Sequence, residues 1–186
     1  SGYTVKPLVC PFPDLPPMVG YARTATIRAT SASHLPPADA GAQRLAYYDY
    51  CGTGHGPRIS VIQDLDGANA GFGAFWGEVN SAVHKALGCL GVITDGSIRD
   101  IPQWAPGFQA LAGSIGPSHA YVHLAGFGEP VCVAGMTVRS DDRRTIRSII
   151  APVSSGLMPA VGSSSSNTLG WAASAIAISR LRCSPC

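Results

Sequence analysis

Lysine is nearly absent from this chain: among 186 residues only Lys6 and Lys85 occur, and no run of Lys or Arg is found anywhere. With a formal net charge of +2, the sequence offers no electrostatic footprint for nucleic acid or an anionic membrane surface. No apolar stretch approaches the ~20 residues that a bilayer-spanning helix requires. The opening SGYTVKPLVC lacks the basic and apolar regions of a secretory signal. A phosphate loop is missing too, because no Gly-Lys-Ser/Thr follows the glycines of residues 66–77, and their spacing, GFGAFWG, departs from G-x-G-x-x-G. Nucleotide binding is therefore not expected. Cysteine is present six times, but Cys10, Cys51, Cys89 and Cys132 are scattered. They read as free, mostly buried thiols in a reducing cytoplasm rather than as a disulfide framework. Cys183 and Cys186 form a CxxC without a redox or zinc context.

Acidic residues are missing from the C-terminal quarter. Residues 143–186 contain five Arg and ten Ser but no Asp, Glu, Lys or His. The sequence therefore divides into one domain, 1–142, and an atypical Ser/Arg-rich tail, 143–186. The domain is large enough to bury roughly two-thirds of its unfolded surface.

Within the domain, 18–30 carries Val, Tyr, Thr and Ile and reads as a strand. Residues 36–51 open on prolines and precede Gly52, as a helix would. Residues 57–65 form a second strand and 66–77 a glycine-rich loop. In 77–88, apolar residues at 79, 82, 83, 86 and 87 give the stripe of an amphipathic helix closed by Gly88. Residues 89–94 are nearly all apolar, as in a strand buried on both faces. Strands at 108–115, 120–127 and 130–139 complete the prediction.

Strand 57–65, helix 77–88 and strand 89–94 make a β-α-β unit. A right-handed parallel connection would bring the ends of both strands and the helix N-terminus to one sheet edge, where open α/β sheets bind ligands. That edge carries Asp64 and Asp66, then Gly77-Glu78-Val79-Asn80, then Asp95, Arg99 and Asp100. Backbone N–H groups at a helix start receive anions, and an arginine fork matches a carboxylate. Glu78 and Asp100 are hard oxygen ligands suited to Mg²⁺ or Mn²⁺. Each feature has a plainer reading when taken singly. An Arg-Asp pair is often a surface ion pair, and an early helical Glu merely suits the dipole. His84 falls on the polar side of its helix and is expected in solvent. His55, His119 and His123 are expected to be structural, and Phe75 and Trp76 to pack. Convergence singles out Glu78, Arg99 and Asp100.

The stretch FWGEVNSAVHKALGCLGVITDGSIRD combines Gly and an acidic residue, a helix, an apolar strand and Asp-Gly-x-x-Arg-Asp. It resembles the central motif of the RraA-like family. That family's members include 4-hydroxy-4-methyl-2-oxoglutarate/4-carboxy-4-hydroxy-2-oxoadipate aldolases and the regulator of ribonuclease E activity A. The likeness runs from about Pro16 to Arg139 and includes GPSHAYVHLAGFGEPVCVAGMTVRSDD. It implies an α/β fold, an α-β-β-α sandwich of the swivelling β/β/α type around the central β-α-β unit, assembled as a homotrimer or hexamer. It also implies a class II aldolase and oxaloacetate decarboxylase acting on small 2-keto acids and releasing pyruvate. Gly77, Glu78, Val79 and Asn80 would form the substrate-binding turn, with the amides of Val79 and Asn80 on the carboxylate. Arg99 would bind substrate and, with the divalent cation, stabilise the enolate; Asp100 and Glu78 would serve the metal. The base that deprotonates the substrate hydroxyl stays open between a water on the metal and Asp95. No Schiff-base lysine is needed.

Two departures stand out. Members of the family generally begin with an additional N-terminal helical segment, whereas this sequence starts close to its first expected strand, and after VRSDD the text becomes RRTIRSIIAPVSSGLMPAVGSSSS. That composition fits either a shifted reading frame or an authentic divergent tail. The competing functional expectation is a non-catalytic, protein-binding regulator of an RNA-processing ribonuclease.

Overall fold

The computed structural model describes residues 3–147 and 177–179. Residues 148–176 and 180–186, which hold most of the Ser/Arg-rich tail and the CxxC, lie outside that description.

The main sheet is built on β1 (Met18–Arg28), β2 (Arg58–Asp64), β4 (Cys89–Thr94) and β6 (Gln109–Leu111), neighbours in that order and all parallel. The free edge of β1 is shared by two antiparallel strands. Its first half pairs with β11 (Arg143–Arg147), which in turn pairs with β12 (Ala177–Ser179). Its second half pairs with β8 (His123–Phe127).

Alternation along the strands explains the layers. Ile59, Val61, Ile93 and Leu111 face one side with Leu8, where the hairpin β9 (Val131–Val133) and β10 (Met136–Val138) covers them. Ile62, Val92 and Ala110 face the other side with Tyr47, Cys51 and Trp76. That side carries α1 (Pro37–Gly52) and α2 (Glu78–Ala86). A smaller parallel sheet runs through β3 (Ala74–Trp76), β5 (Ser97–Ile98) and β7 (Ser114–Ile115). The result is the mixed α/β fold that the motif implied, with the β-α-β unit at its centre.

Several predicted elements differ. The glycine-rich loop contains β3, a strand too short to show a period. Segment 130–139 is a hairpin, not one strand: Ala134 and Gly135 have φ of 49° and 84°, and consecutive positive φ values make a tight two-residue turn. Segment 108–115 is two strands, since β6 joins the main sheet and β7 the small one. The α2 stripe is present but divided: Leu87 packs against the core and Val83 is half-buried, while the rest faces outward. Val79 is 69% exposed, and Ala82 and Ala86 are exposed as well. The fully buried residues are Ser81 and His84. His84 is therefore a core residue and not a solvated one. Burial is possible because every polar atom on this face is matched. Ser81 Oγ donates to Glu78 O (2.8 Å) and accepts from Ala105 N–H (3.0 Å). The His84 ring lies between Asn80 O (2.7 Å) and the Tyr47 hydroxyl (2.9 Å).

Candidate active site

The small sheet decides which motif residues meet. In the parallel pairing of β3 with β5, Trp76 stands opposite Ile98, and Arg99 N–H donates to Trp76 O (2.9 Å). The next residue on each strand leaves the sheet at the same point, so Gly77 lies against Arg99 and Asp100. A Cβ on residue 77 would stand 2.5 Å from Asp100 Oδ2 and 3.2 Å from Arg99 Cγ. Glycine leaves room there for the Asp100 carboxylate in this position. Asp100 takes a left-handed conformation (φ 56°, ψ 39°), uncommon outside glycine but tolerated by Asp. This turns its carboxylate back to Arg99 Nη1 at 3.0 Å.

Beside this junction is a cavity of about 230 Å³ whose lining includes Arg44, Tyr48, Phe75, Asn80, Arg99 and His119. Val79 and Asn80 belong to the first turn of α2, where backbone N–H groups have no intrahelical acceptor. Asn80 is held in place by its side chain: Nδ2 donates to Phe75 O (2.5 Å), and Oδ1 accepts from the Tyr48 hydroxyl (3.2 Å). Arg99 Nε is buried with no hydrogen-bond partner. A cavity with an unmet guanidinium donor beside a helix start is built for an anion.

The expectation that all the motif carboxylates enter one crevice fails. Asp64 and Asp95 line a separate cavity of about 610 Å³, together with Lys6, Gln63 and Cys132. The reason is β3, which separates the end of β2 from the start of α2. Asp64 and Asp95 serve the backbone: Asp95 Oδ1 accepts from Asp64 N–H, while Asp64 accepts from Asp66 and Gly71 N–H groups at 2.8 to 3.0 Å. Burial raises the pKa of both. Asp66 instead ties β2 to the end of β1, accepting from Ala29 and Thr30 N–H. Burial opposes its ionisation, yet these bonds and the Thr30 hydroxyl outweigh burial and lower its pKa. Asp95, a candidate base on sequence grounds, thus stands apart from Arg99.

Glu78 is exposed and Asp100 is half-buried. Two hard carboxylates suit Mg²⁺ or Mn²⁺, which bind one or two such groups and keep several waters. No group of three or more His, Cys, Asp or Glu able to hold a metal occurs among the described residues. Such a pair would suit a hydrated cation rather than an all-protein cage, and neither carboxylate is among the residues that line the Arg99 cavity. Neither lysine reaches the Arg99 cavity: Lys6 lines the larger one, and Lys85 Nζ donates to Pro106 O. Cys51 and Cys89 are buried, and Cys10, Cys51, Cys89 and Cys132 are all free. Burial pushes the Cys51 thiol up to about 12 and that of Cys89 to about 11, so both are inert. Cys132, expected among the buried thiols, is exposed at the hairpin.

Sequence reasoning missed Arg44, Tyr48 and His119. Arg44 and Tyr48 come from α1, and their spacing of four places them on one helix face. His119, expected to be structural, arrives from the connection after Gly116-Pro117-Ser118, whose turn signal does not say what it will pack against.

The RraA-like family model (Aldolase/RraA) matches residues 2–143. No curated protein matches the chain. Among solved structures, RraAS2 of Streptomyces coelicolor, described as an unusual member of the RNase ES inhibitor RraA protein family, aligns with a TM-score of 0.58 at 19% identity, covering 77% of this chain and 67% of that one. A Geobacillus kaustophilus protein named S-adenosylmethionine:2-dimethylmenaquinone methyltransferase gives 0.56 at 14% identity, over 77% and 79%. The RNA-processing inhibitor RraA of Thermus thermophilus gives 0.50 at 15%, over 74% and 75%. Two further similar structures are longer, the chain spanning 59% and 62% of their length. At these identities the likeness is one of fold.

Proposed function

The chain belongs to the RraA-like family, and from that premise we propose that it is a divalent-metal-dependent carbon–carbon lyase of small 2-oxo acids. It would cleave substrates like 4-hydroxy-4-methyl-2-oxoglutarate to pyruvate and decarboxylate oxaloacetate, working in the cytoplasm. The observation that carries this reading is the Arg99 guanidinium, whose Nε has no hydrogen-bond partner, lining a small cavity together with Val79 and Asn80 of the first turn of α2.

The residues divide the work by their chemistry. Backbone N–H groups of Val79 and Asn80 receive the substrate carboxylate, and Asn80 is pinned so that this turn is fixed before substrate arrives. Arg99 stabilises the negative charge that develops on the 2-oxo oxygen as the C3–C4 bond breaks. Glu78 and Asp100 would hold the cation, which supplies Lewis-acid polarisation of the 2-oxo group when bound. Gly77 leaves the space in which the Asp100 carboxylate sits. With no lysine in the cavity, a Schiff-base route has no residue to carry it.

The test is oxaloacetate decarboxylation and 4-hydroxy-4-methyl-2-oxoglutarate cleavage with and without Mg²⁺ or Mn²⁺. Activity that appears only with added metal is expected; full activity after exhaustive EDTA treatment sinks the metal mechanism. The second reading, a non-catalytic regulator of an RNA-processing ribonuclease, is favoured by the named inhibitors among the similar folds. Ribonuclease inhibition by a chain inert toward both acids would establish it instead.

A further inference from the structure

We infer that His119 is the general base that removes the substrate's C4 hydroxyl proton; this rests on the lyase reading above. Cleavage of a 4-hydroxy-2-oxo acid requires that step. The hydroxyl proton goes to the base, the C4–O bond becomes a carbonyl, and the C3–C4 bond breaks. Its electron pair moves to the enolate of pyruvate, which then takes a proton at C3. Decarboxylating oxaloacetate forms the same enolate by loss of CO₂ and removes no hydroxyl proton.

The structure presents His119 for this role from a rigid turn. Ser118 O accepts from Ala74 N–H of β3 (2.8 Å), His119 O accepts from Val122 N–H (3.2 Å), and Ala29 O accepts from Tyr121 N–H (3.2 Å). A Cβ on residue 73 would stand 2.8 Å from His119 O and 3.0 Å from Ala120 Cβ, so glycine lets the turn sit directly on the start of β3. Ala120 holds a φ of 46°, strain that persists only where the surroundings enforce it. The strand that anchors the turn is the one that continues into Gly77 and α2.

The ring's protonation follows from its partner. His119 Nδ1 faces Ala120 O at 3.2 Å; a carbonyl only accepts, so Nδ1 is the donor there, and in the neutral ring this leaves Nε2 as the nitrogen with the free lone pair. No other hydrogen bond or ion pair engages this ring among the described residues. The other polar side chains that line the cavity are spent. Arg44 and Arg99 are cations. Both ends of the Asn80 amide are engaged, and the Tyr48 hydroxyl donates to it. Burial further raises the Tyr48 pKa. Imidazole is the side chain that accepts and releases protons most readily near neutrality.

The experiment compares the two reactions in Mg²⁺ for the parent, His119→Asn, and His119→Ala with and without added imidazole, with oxalate binding followed by calorimetry. The ratio of cleavage to decarboxylation is expected to fall about 100- to 10,000-fold in His119→Asn, with oxalate, which mimics the enolate, still bound. Imidazole should restore cleavage to His119→Ala. An unchanged ratio overturns the inference, whether both reactions persist or fall together. A parent that decarboxylates but cleaves nothing also overturns it, leaving the metal lyase standing. A parent that does neither overturns the lyase reading and this inference with it.

Discussion

Arg99 and Asp100 are joined by an ion pair, yet their chemistry assigns them different tasks, and this makes them separable. Removing Arg99 deletes the donor that meets developing charge. Arg99→Ala should therefore cost about 2–4 kcal/mol of transition-state stabilisation, or about 30- to 1,000-fold in kcat/KM. Mn²⁺ affinity should stay close to the parent's. Asp100→Ala should weaken Mn²⁺ binding itself, and excess metal should recover part of the activity. Mn²⁺ titration beside steady-state kinetics distinguishes the two; parental metal and substrate binding in both variants reduces the pair to a charged turn. Gly77→Ala tests the same junction from the backbone side. Its Cβ would displace the Asp100 carboxylate, so metal affinity should fall while the thermal midpoint barely moves. These residues stood out in sequence because they flank two strongly patterned elements, Gly77 just before the helix stripe and Arg99 and Asp100 shortly after the apolar run 89–94. His119 and Arg44 were not, because their approach to Arg99 is made by tertiary packing across distant segments.

At the scale of elements, α2 shows how a correct periodicity can be assigned to the wrong side. Of the stripe at 79, 82, 83, 86 and 87, Leu87 packs on the core and Val83 is half-buried, but the fully buried residues are polar and satisfied, with His84 between Asn80 O and Tyr47. Sequence could not foresee this, since Tyr47 reaches His84 only once α1 packs beside α2. Burial depresses the His84 pKa to about 4, below its ordinary value near 6.5. Between these values the unfolded chain binds the extra proton and the native state does not. Stability is then full above pH 6.5 and falls as the pH drops toward 4, by up to about 3 kcal/mol. Asp64 and Asp95 work in the opposite direction, because their pKa values are raised on folding, but only in the carboxylate range at the lower end of this window. His84→Gln keeps a donor and an acceptor without the titration. It should flatten urea-derived stability between pH 6.5 and 5, whereas an unchanged slope would move the effect elsewhere. The misread hairpin has a similar cause: Ala134 in a left-handed turn carries none of the usual Asn or Asp signal.

For the whole molecule, the β-α-β core was readable because apolar strands flank a clear helix, whereas the layering was only what the family resemblance implied. The small sheet was not readable, since strands of two or three residues carry no period. The same core leaves a row of apolar side chains without cover. Val79, Ala82 and Ala86 are spaced three and four apart on one side of α2, and all are exposed. Leu45 on α1 is 66% exposed and Phe72 is 56% exposed. Val79 also lines the candidate cavity. An outward apolar stripe at the rim of a binding cavity calls for burial, and a second copy of the chain would supply it. The family resemblance implies a homotrimer or hexamer, for which light scattering would give about three or six times the chain mass of 19.2 kDa. Ala86→Glu, far enough along α2 to spare the substrate-binding turn, places a charge in the stripe and should shift the population toward monomers. A parent that scatters only as a monomer at micromolar concentration would remove the assembly. The exposed stripe would then be left as a surface for a different protein, which is what the regulatory reading requires.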